Sequence, residues 1–333
     1  MDLKWGIFSK YRSEIYGLSI LWIMVFHGLI IKKVSLDYSF QFLSPILKRG
    51  NLGVEVFLFL SGICLYYSMA NNSDTWIFYK NRLKRILFPF LVIAGGYWFI
   101  NSIVGNSNFT SFLKHITMWS FWVDGNSAEW FIALILPLYF IYPVIYHKII
   151  KKNRELLLML LIVLIYGILT LVRMNYNIYY AKVEIALSRI PNFILGCYCG
   201  KFVFENHEVK KALLYGWIAL ALIVWAGFFF KFYSLTKVHR LPYFFAGPLV
   251  SCLFCVLVER LQRCERVLAF LRFAGTISLE LYLAHLTLRR LFIGSKYMGV
   301  YPPANFHEYV LLVIGGAFIL SAFVHFFYKK ISH

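Results

Sequence analysis

Charged residues are scarce in this sequence, and acidic residues are the scarcest. Of 333 residues, 15 are Asp or Glu and 34 are Lys or Arg, so charged side chains make up 15% of the chain. An ordinary soluble domain has about 25%. A soluble chain of this length needs polar residues to cover its surface, whereas 60% of these residues are apolar. The shortage of charge therefore excludes an ordinary soluble globular protein.

Cysteine is sparse as well, with six in the chain. Most lie in or beside apolar runs, where a free cysteine packs as a small apolar residue. Cys252 and Cys255 have the spacing of a metal-binding pair, but no second pair or nearby histidine completes a set of ligands. We therefore expect neither a disulfide framework nor a metal. The first apolar run is long and lacks a small-residue cleavage site, so it predicts a retained spanning helix.

Long apolar runs are abundant. They recur along the whole chain, and each is long enough to cross a ~30 Å hydrocarbon core. They predict an all-α, polytopic membrane protein with about ten transmembrane helices. The loops between them are short, so we expect a single transmembrane domain over residues 1–333 with no appended soluble domain. The predicted spans cover residues 14–31, 52–70, 86–104, 129–147, 155–173, 187–204, 212–230, 242–260, 274–293 and 308–328.

The basic residues predict the orientation of these spans. The formal net charge is +19, but the Lys and Arg residues form short clusters between apolar runs rather than one basic surface, which argues against nucleic-acid binding. If the N-terminus is cytoplasmic, the densest clusters all fall on the inner side. We therefore expect both termini and the loop at residues 80–85 to be cytoplasmic, and the loop at 105–128 to be outside.

The predicted outer loop is rich in aromatic residues. Phe112, Trp119, Phe121 and Trp122 all lie within residues 105–128. Such residues are typical of the membrane–water interface, and they also suit stacking on sugar rings. Both interpretations remain open from the sequence, and the interfacial one is the more common.

Several ionisable residues fall inside predicted spans at similar depth. Such residues are costly in a bilayer and usually face a cavity or a partner. The alternative is a structural polar network, or side chains that reach the nearer membrane surface. This alternative suits Glu55, Glu129 and Arg189, which lie close to the ends of predicted spans. His27 and His285 are flanked by apolar residues on both sides, which favours a functional role. The set comprises His27, Glu55, Glu129, Arg189 and His285, with Glu280 slightly deeper.

On the inner side, Arg82 and Arg85 precede the third span. Their spacing of three residues places both guanidiniums on one face of a helix, where two forks could bind a phosphate. Ordinary anchoring of the span by positive charge is the alternative interpretation.

Six blocks, in order, resemble the acyltransferase 3 family of integral membrane O-acyltransferases, of the kind that acetylates cell-surface polysaccharides. The resemblance covers nearly the whole chain. In the family, the first block usually has an arginine where this sequence has Tyr16, and Arg12 lies one turn earlier. The blocks are residues 16–27 ending in His27, 53–62 with Glu55, 78–89 with Arg82 and Arg85 before Pro89, 129–131 with later Tyr139 and Pro143, 189–196 with Arg189 and Pro191, and 275–285 ending in His285.

The resemblance implies an enzyme that moves an acyl group, expected to be acetyl, from cytoplasmic acyl-CoA to a hydroxyl of a surface or lipid-linked glycan. It implies a multi-pass protein of a bacterial cytoplasmic membrane, in contact with membrane lipid. On this hypothesis the donor is acetyl-CoA, and we expect no metal and no nucleic acid. The expected roles are catalysis for His27, Glu129 and His285, donor binding for Arg82, Arg85 and Arg12, and acceptor binding for Glu55, Arg189 and Trp130.

His27 is the expected general base, because an imidazole can accept a proton near neutral pH. Its apolar surroundings would disfavour the charged ring, so we expect a carboxylate partner, either Glu55 or Glu129.

Other functions are compatible with the same composition. A glycan transporter or flippase could use buried charges to line a path, although no internal repeat is visible. A non-catalytic partner in polysaccharide assembly is a further alternative. A phospholipid acyltransferase of the His-x4-Asp type is excluded, because no histidine here is followed by aspartate five residues later.

Overall fold

A computed structural model describes residues 4–31, 38–229, 240–294, 303 and 305–332. Over these residues the chain is helical throughout, with no strand and one isolated bridge between Lys4 and Glu208. The helices of eight residues or more are α1 (Arg12–Leu29), α2 (Gly53–Asn71), α3 (Thr75–Pro89), α4 (Gly96–Ile103), α5 (Phe109–Ile116), α6 (Trp130–Ile145), α7 (Glu155–Asn175), α8 (Asn177–Leu187), α9 (Ile190–Phe204), α10 (Lys211–Phe229), α11 (Leu241–Arg260), α12 (Glu265–Thr276), α13 (Ser278–Arg289) and α14 (Gly316–Ser332).

Shorter turns of helix join or extend these elements. Some are α-helical or 3₁₀ turns, namely Ile7–Lys10, Tyr38–Leu43, Ser44–Leu47, Gly50–Leu52, Trp119–Trp122, Ser127–Glu129, Leu261–Arg263 and Phe306–Tyr309. Others are π-helical, namely Phe90–Gly95, Tyr146–Ile150, Arg290–Gly294 and Val310–Gly315. Two π segments follow helices that contain proline, at Pro89 and at Pro137 and Pro143, where the missing N–H interrupts the regular α pattern.

The described helices confirm a helical protein with several membrane-spanning segments. Six are long and apolar enough to cross a bilayer, namely Gln41–Asn71, Thr75–Ile103, Ser127–Ile150, Glu155–Asn175, Leu241–Arg263 and Phe306–Ile331. A seventh results if α12 and the helix after it form one span, bent by 75° between Thr276 and Ser278. These seven coincide with seven of the predicted spans.

The other three predicted spans also fall on helices, which are not among the spanning candidates within the described residues. They correspond to α1, α9 and α10, and residue 230 of the third prediction lies outside the described residues. The total of ten spans therefore stays a prediction.

The chain forms two compact units, each assembled from three separate stretches. The first contains Met1–Arg12, Glu55–Arg82 and Phe121–Arg263. Its core is built on α2, α6 and α9, where Phe59, Tyr142 and Phe193 are fully buried. The second contains Ser13–Val54, Leu83–Ser120 and Cys264–His333.

In the first unit, glycines bring α2 and α9 into backbone contact. A Cβ added to Gly62 would overlap the backbone of Cys197 and Phe193, and one added to Gly196 would overlap the backbone of Phe59. Small residues of this kind allow close helix packing in membranes.

In the second unit, α1 and α12 meet in the same way. A Cβ on Gly17 would overlap the carbonyl of Leu271, and one on Gly275 would overlap the carbonyl of Ser13. The helix α13 then packs against α14 and against the π segment Phe90–Gly95.

Candidate active site

Two histidines from different helices of the second unit meet in its interior. Nδ1 of His27 lies 2.9 Å from Nε2 of His285, and the two rings are nearly parallel, with centroids 5.1 Å apart. His285 is fully buried, and His27 is partly buried. The sequence predicted both residues as functional, and the structure places their rings in direct contact.

The glycine contact between α1 and α12, and the bend that follows it, precede the meeting of these rings. His27 lies ten residues after Gly17, and His285 lies ten residues after Gly275. Gly17 meets the backbone of Leu271 and Gly275 meets that of Ser13, so α1 and α12 run in opposite directions at this contact. The break at Ile277 redirects the second of these chains before His285 is reached.

Hydrogen bonding assigns the protons on these rings. Nδ1 of His285 lies 2.8 Å from the carbonyl oxygen of Leu281, which can only accept, so this nitrogen carries a hydrogen. Nε2 of neutral His285 then has the lone pair, and Nδ1 of His27 must donate to it. In neutral His27 the remaining nitrogen, Nε2, therefore holds a lone pair. A lone pair fixed in this way suits a general base.

The carboxylate partner that we expected for His27 does not occupy Nδ1. The ring of His285 holds that position, and the bonded carbonyl of Leu281 plays the orienting role at the far end. Within the first unit, Glu55 is instead engaged by Arg189 and Asn192. The partner at Nδ1 of His27 is thus His285, and a carboxylate partner elsewhere on the ring stays a prediction.

A second polar cluster in this unit is centred on Glu280, whose side chain is fully buried. Arg85 binds it through both ends of the guanidinium, at 2.5 and 3.0 Å. Nδ1 of His325, on α14, lies 3.0 Å from the same carboxylate. Arg85 also donates to the carbonyl of Thr276, at the break between α12 and α13. The cluster therefore stabilises the bent region that precedes His285.

The two arginines that were predicted to bind one phosphate, Arg82 and Arg85, have different partners in the structure. Arg82 belongs to the first unit and Arg85 to the second. In the first unit, Nη2 of Arg82 lies 3.5 Å from the carbonyl oxygen of Cys64, and Nη1 of Arg12 lies 4.0 Å from the sulfur of the same residue. Arg12 and Arg82 thus converge on Cys64, whereas the fork of Arg85 is occupied by Glu280.

The three predicted acceptor-binding residues lie together in the first unit. Nε of Arg189 donates to Glu55 at 2.7 Å, with both side chains almost fully buried. The guanidinium stands over the ring of Trp130, 4.8 Å from its centroid. Glu129, next to Trp130, is buried as well. The predicted residues thus form one connected cluster of ion pair and aromatic ring.

The position of this cluster follows from the glycine contact of α2 and α9. Glu55 lies seven residues before Gly62, and Arg189 lies seven residues before Gly196. Seven residues are about two helical turns, so two helices that run in the same direction present both side chains at one level. Asn192 completes the site by donating to both the carbonyl and the carboxylate of Glu55.

The aromatic residues of the predicted outer loop have separate environments. Trp119 is 55% exposed, whereas Phe121 is 2% exposed. Phe112 packs edge-on against Phe99 on α4. Phe121 therefore serves as a core residue, and Trp119 stays available for an interface or for stacking.

Sequence reasoning did not identify Asn192, His325 or Arg289 as site residues. Asn192 lies three residues after Arg189, one turn along α9, which was a usable signal. His325 and Arg289 lie near the ends of apolar runs, where polar residues usually mark the membrane surface. Their environments become visible only when the helices are packed.

Comparison with known proteins identifies the chain at the level of a family. A family model described as an acyltransferase domain, of the acyltransferase 3 type, matches residues 17–326. No curated protein and no solved structure matches the chain.

Proposed function

The chain belongs to the acyltransferase 3 family and is a membrane acyltransferase, and we propose that it transfers an acetyl group from acyl-CoA to a glycan hydroxyl. The proposed acceptor is a cell-surface or lipid-linked glycan at a bacterial cytoplasmic membrane. The observation that carries the proposal is the pair of His27 and His285, with its lone pair on Nε2 of His27.

The pair supports a direct mechanism of acyl transfer. The acceptor hydroxyl gives its proton to Nε2 of His27 while its oxygen attacks the thioester carbonyl. The tetrahedral intermediate then expels the thiolate of CoA as the carbon–sulfur bond breaks. His285 acts as the positioning residue, because its lone pair accepts from Nδ1 of His27 and stabilises the imidazolium that forms. Glu129 stays a candidate for a further acid–base role.

For the donor, Arg12 and Arg82 are the better phosphate ligands. Both guanidiniums approach Cys64 in the first unit. Arginine forks suit phosphate oxygens, and two nearby forks bind more strongly than one. Arg85, which was predicted for the same task, is assigned a structural role through Glu280. The family block usually has an arginine at the position of Tyr16, and we assign the role of that arginine to Arg12.

For the acceptor, the cluster of Glu55, Arg189 and Trp130 supplies the chemistry of sugar recognition. An aromatic face stacks on the apolar face of a sugar ring, and buried charged groups bind hydroxyls through directional hydrogen bonds. The guanidinium of Arg189 makes two of its possible hydrogen bonds, to Glu55 and to the carbonyl of Ile185. Its remaining N–H groups can serve a ligand.

The proposed reaction requires that the donor enter from the cytoplasm and the acceptor from outside. We retain the expected arrangement of ten spans with both termini cytoplasmic, which gives each substrate its own side. A glycan transporter with the same topology would consume no donor, and this difference separates the two functions.

The test is an acetyl-transfer assay on membranes that contain the protein. Acetyl-CoA labelled in its acetyl group is supplied with the surface glycans of the host, and both label in the glycan and free CoA thiol are measured. We expect label and thiol to appear together, and both to be lost in membranes without the protein. Glycan movement without release of CoA thiol would overturn the proposal in favour of transport.

A further inference from the structure

Among the residues that the structure describes, Arg289 in the second unit has no acidic side chain as a counter-charge. It ends α13, one helical turn after His285, and its side chain is partly buried. Its Nε atom is fully buried and has no hydrogen-bond partner. Over the described residues, no acidic side chain interacts with it; its electrostatic neighbours are Tyr309 and Arg290.

Three other arginines with buried or half-buried side chains are paired with carboxylates. Arg189 binds Glu55, Arg85 binds Glu280, and Arg240 binds Glu184 at 2.9 Å. An unpaired charge inside a membrane span is costly, and such residues usually serve a function. Arg289 therefore differs from the arginines that stabilise the fold.

The surroundings of Arg289 connect it to the proposed base. Tyr309, an electrostatic neighbour of Arg289, donates from its hydroxyl to the carbonyl of Met24 at 2.8 Å. The ring of Tyr309 packs against Gly28, the residue after His27. The guanidinium is also within electrostatic range of both imidazoles. Because Arg289 follows His285 by four residues, the two side chains lie on the same face of α13.

We propose that Arg289 is a catalytic residue that stabilises the oxyanion formed at the acyl carbonyl during transfer. This inference rests on the proposed acetyl transfer. When the acceptor oxygen bonds to the carbonyl carbon, the carbonyl π electrons move to oxygen, and the proton of the hydroxyl moves to Nε2 of His27. When the oxyanion re-forms the carbonyl, the carbon–sulfur bond breaks and its electrons leave on the thiolate. Arg289 neutralises the charge that exists between these two events.

The missing partner explains why an arginine would be kept here at a cost. A carboxylate paired with Arg289 would cancel the charge before the reaction begins. An unpaired guanidinium is instead complementary to the transition state, in which a negative charge appears, and not to the neutral thioester. Loss of one oxyanion donor typically reduces kcat by about 10²–10³-fold.

The experiment compares Arg289→Met and Arg289→Lys with Arg290→Met. Arg290 is the matched control, because it removes the same formal charge at the next position and its guanidinium lies over Trp98, 5.5 Å from the ring centroid. For each purified full-length variant, kcat, the KM of donor and acceptor, and thermal unfolding in detergent are measured.

We expect Arg289→Met to lower kcat about 100-fold or more, with both KM values changed by less than about threefold. Arg289→Lys keeps a point charge and should retain part of the rate, and Arg290→Met should lower kcat by at most about tenfold. The unfolding temperature of Arg289→Met should equal or exceed that of the wild type, because an unpaired buried charge is removed.

Three results would overturn the inference. A raised acceptor KM with kcat retained would assign Arg289 to binding a fixed anionic group of the acceptor. A lowered unfolding temperature together with lost activity would make the residue structural. Wild-type kcat and KM in Arg289→Met would show that the residue has no role. Failure of the proposed function is distinguishable, because the wild-type protein would then release no CoA thiol in the same assay.

Discussion

At the scale of single residues, the presence or absence of a carboxylate partner indicates whether an arginine stabilises the fold or is available to a ligand. Arg82 and Arg85 are three residues apart on one helix, and their sequence context is similar. The structure separates them, because Arg85 is bound at both ends by a buried carboxylate and Arg82 is not. A spacing rule places two side chains on a helix face, but it carries no information on what another helix presents to each of them.

The pairing leads to different expected effects for the two arginines. Arg85→Ala leaves the carboxylate of Glu280 buried without its main partner, which should destabilise the protein by about 3 kcal/mol, the lower end of the usual range, because the side chain of Arg85 is 30% exposed. Arg82→Ala should leave stability unchanged and raise the KM for acetyl-CoA about tenfold.

The measurements are thermal unfolding in detergent and donor dependence of transfer. The double change Arg85→Met with Glu280→Met is the control, since removing both partners should recover most of the lost stability. If Arg85→Ala unfolds like the wild type while its donor KM rises, then Arg85 is a donor ligand after all.

At the residue scale, too, the partner at Nδ1 of His27 is a histidine, where the apolar flanks had led us to expect a carboxylate. Only 15 acidic residues exist in the chain, and the buried ones near α2 and α13 are bound to arginines. A second histidine, which is itself oriented by a backbone carbonyl, supplies the orientation. The two histidines were predicted separately from their apolar flanks, but their contact depends on a break at Ile277 that the sequence pattern does not reveal.

At the scale of helices, glycines determine how the site residues align. Gly62 and Gly196 form the contact that places Glu55 and Arg189 at one level, and Gly17 and Gly275 form the close contact between α1 and α12, the helices that precede the histidine pair. Gly167 differs from these four glycines, because a Cβ added to it would meet nothing within 4 Å.

This alignment predicts that Gly275→Ala reduces transfer without preventing insertion. The added Cβ overlaps the carbonyl of Ser13, so α1 and α12 must move apart and the histidine pair must lengthen. A misplacement of about 1 Å in a catalytic group costs about 100-fold in rate. Gly167→Ala is the control and should be neutral or stabilising by up to about 1 kcal/mol, because it only improves helix propensity.

The quantities to compare are membrane expression and initial rate of both variants. Equal rates in Gly275→Ala and Gly167→Ala would show that the glycine contact does not position the histidines.

At the scale of the whole molecule, the apolar runs predicted the helices well. Each of the ten predicted spans falls on a helix, and seven coincide with segments suited to crossing a bilayer. Hydropathy reports which residues avoid water, and this property is read from composition alone. It does not report the bend at Ile277 or the division of the chain into two units, since both depend on contacts between distant stretches.

The orientation of the molecule stays a prediction that labelling can test. Residues 80–85, predicted as a loop, lie within α3. We expect this segment and both termini to be cytoplasmic, and Asn126 to be outside, because the densest basic clusters then face inward. Single cysteines placed at Lys80 and at Asn126, in a background without the six native cysteines, are exposed to a membrane-impermeant thiol reagent on intact cells. Labelling is expected at position 126 only, and labelling at position 80 but not at 126 would reverse the orientation.

The most direct test of the account is the rate of acetyl transfer by His27→Gln. Glutamine keeps a polar side chain of similar reach but cannot accept a proton from the acceptor hydroxyl. Positioned acid–base groups contribute about 10²–10⁴-fold, so we predict that His27→Gln loses at least about 100-fold in transfer rate at unchanged membrane expression. A His27→Gln protein that acetylates the glycan at close to the wild-type rate would contradict the account, because the base would then lie elsewhere.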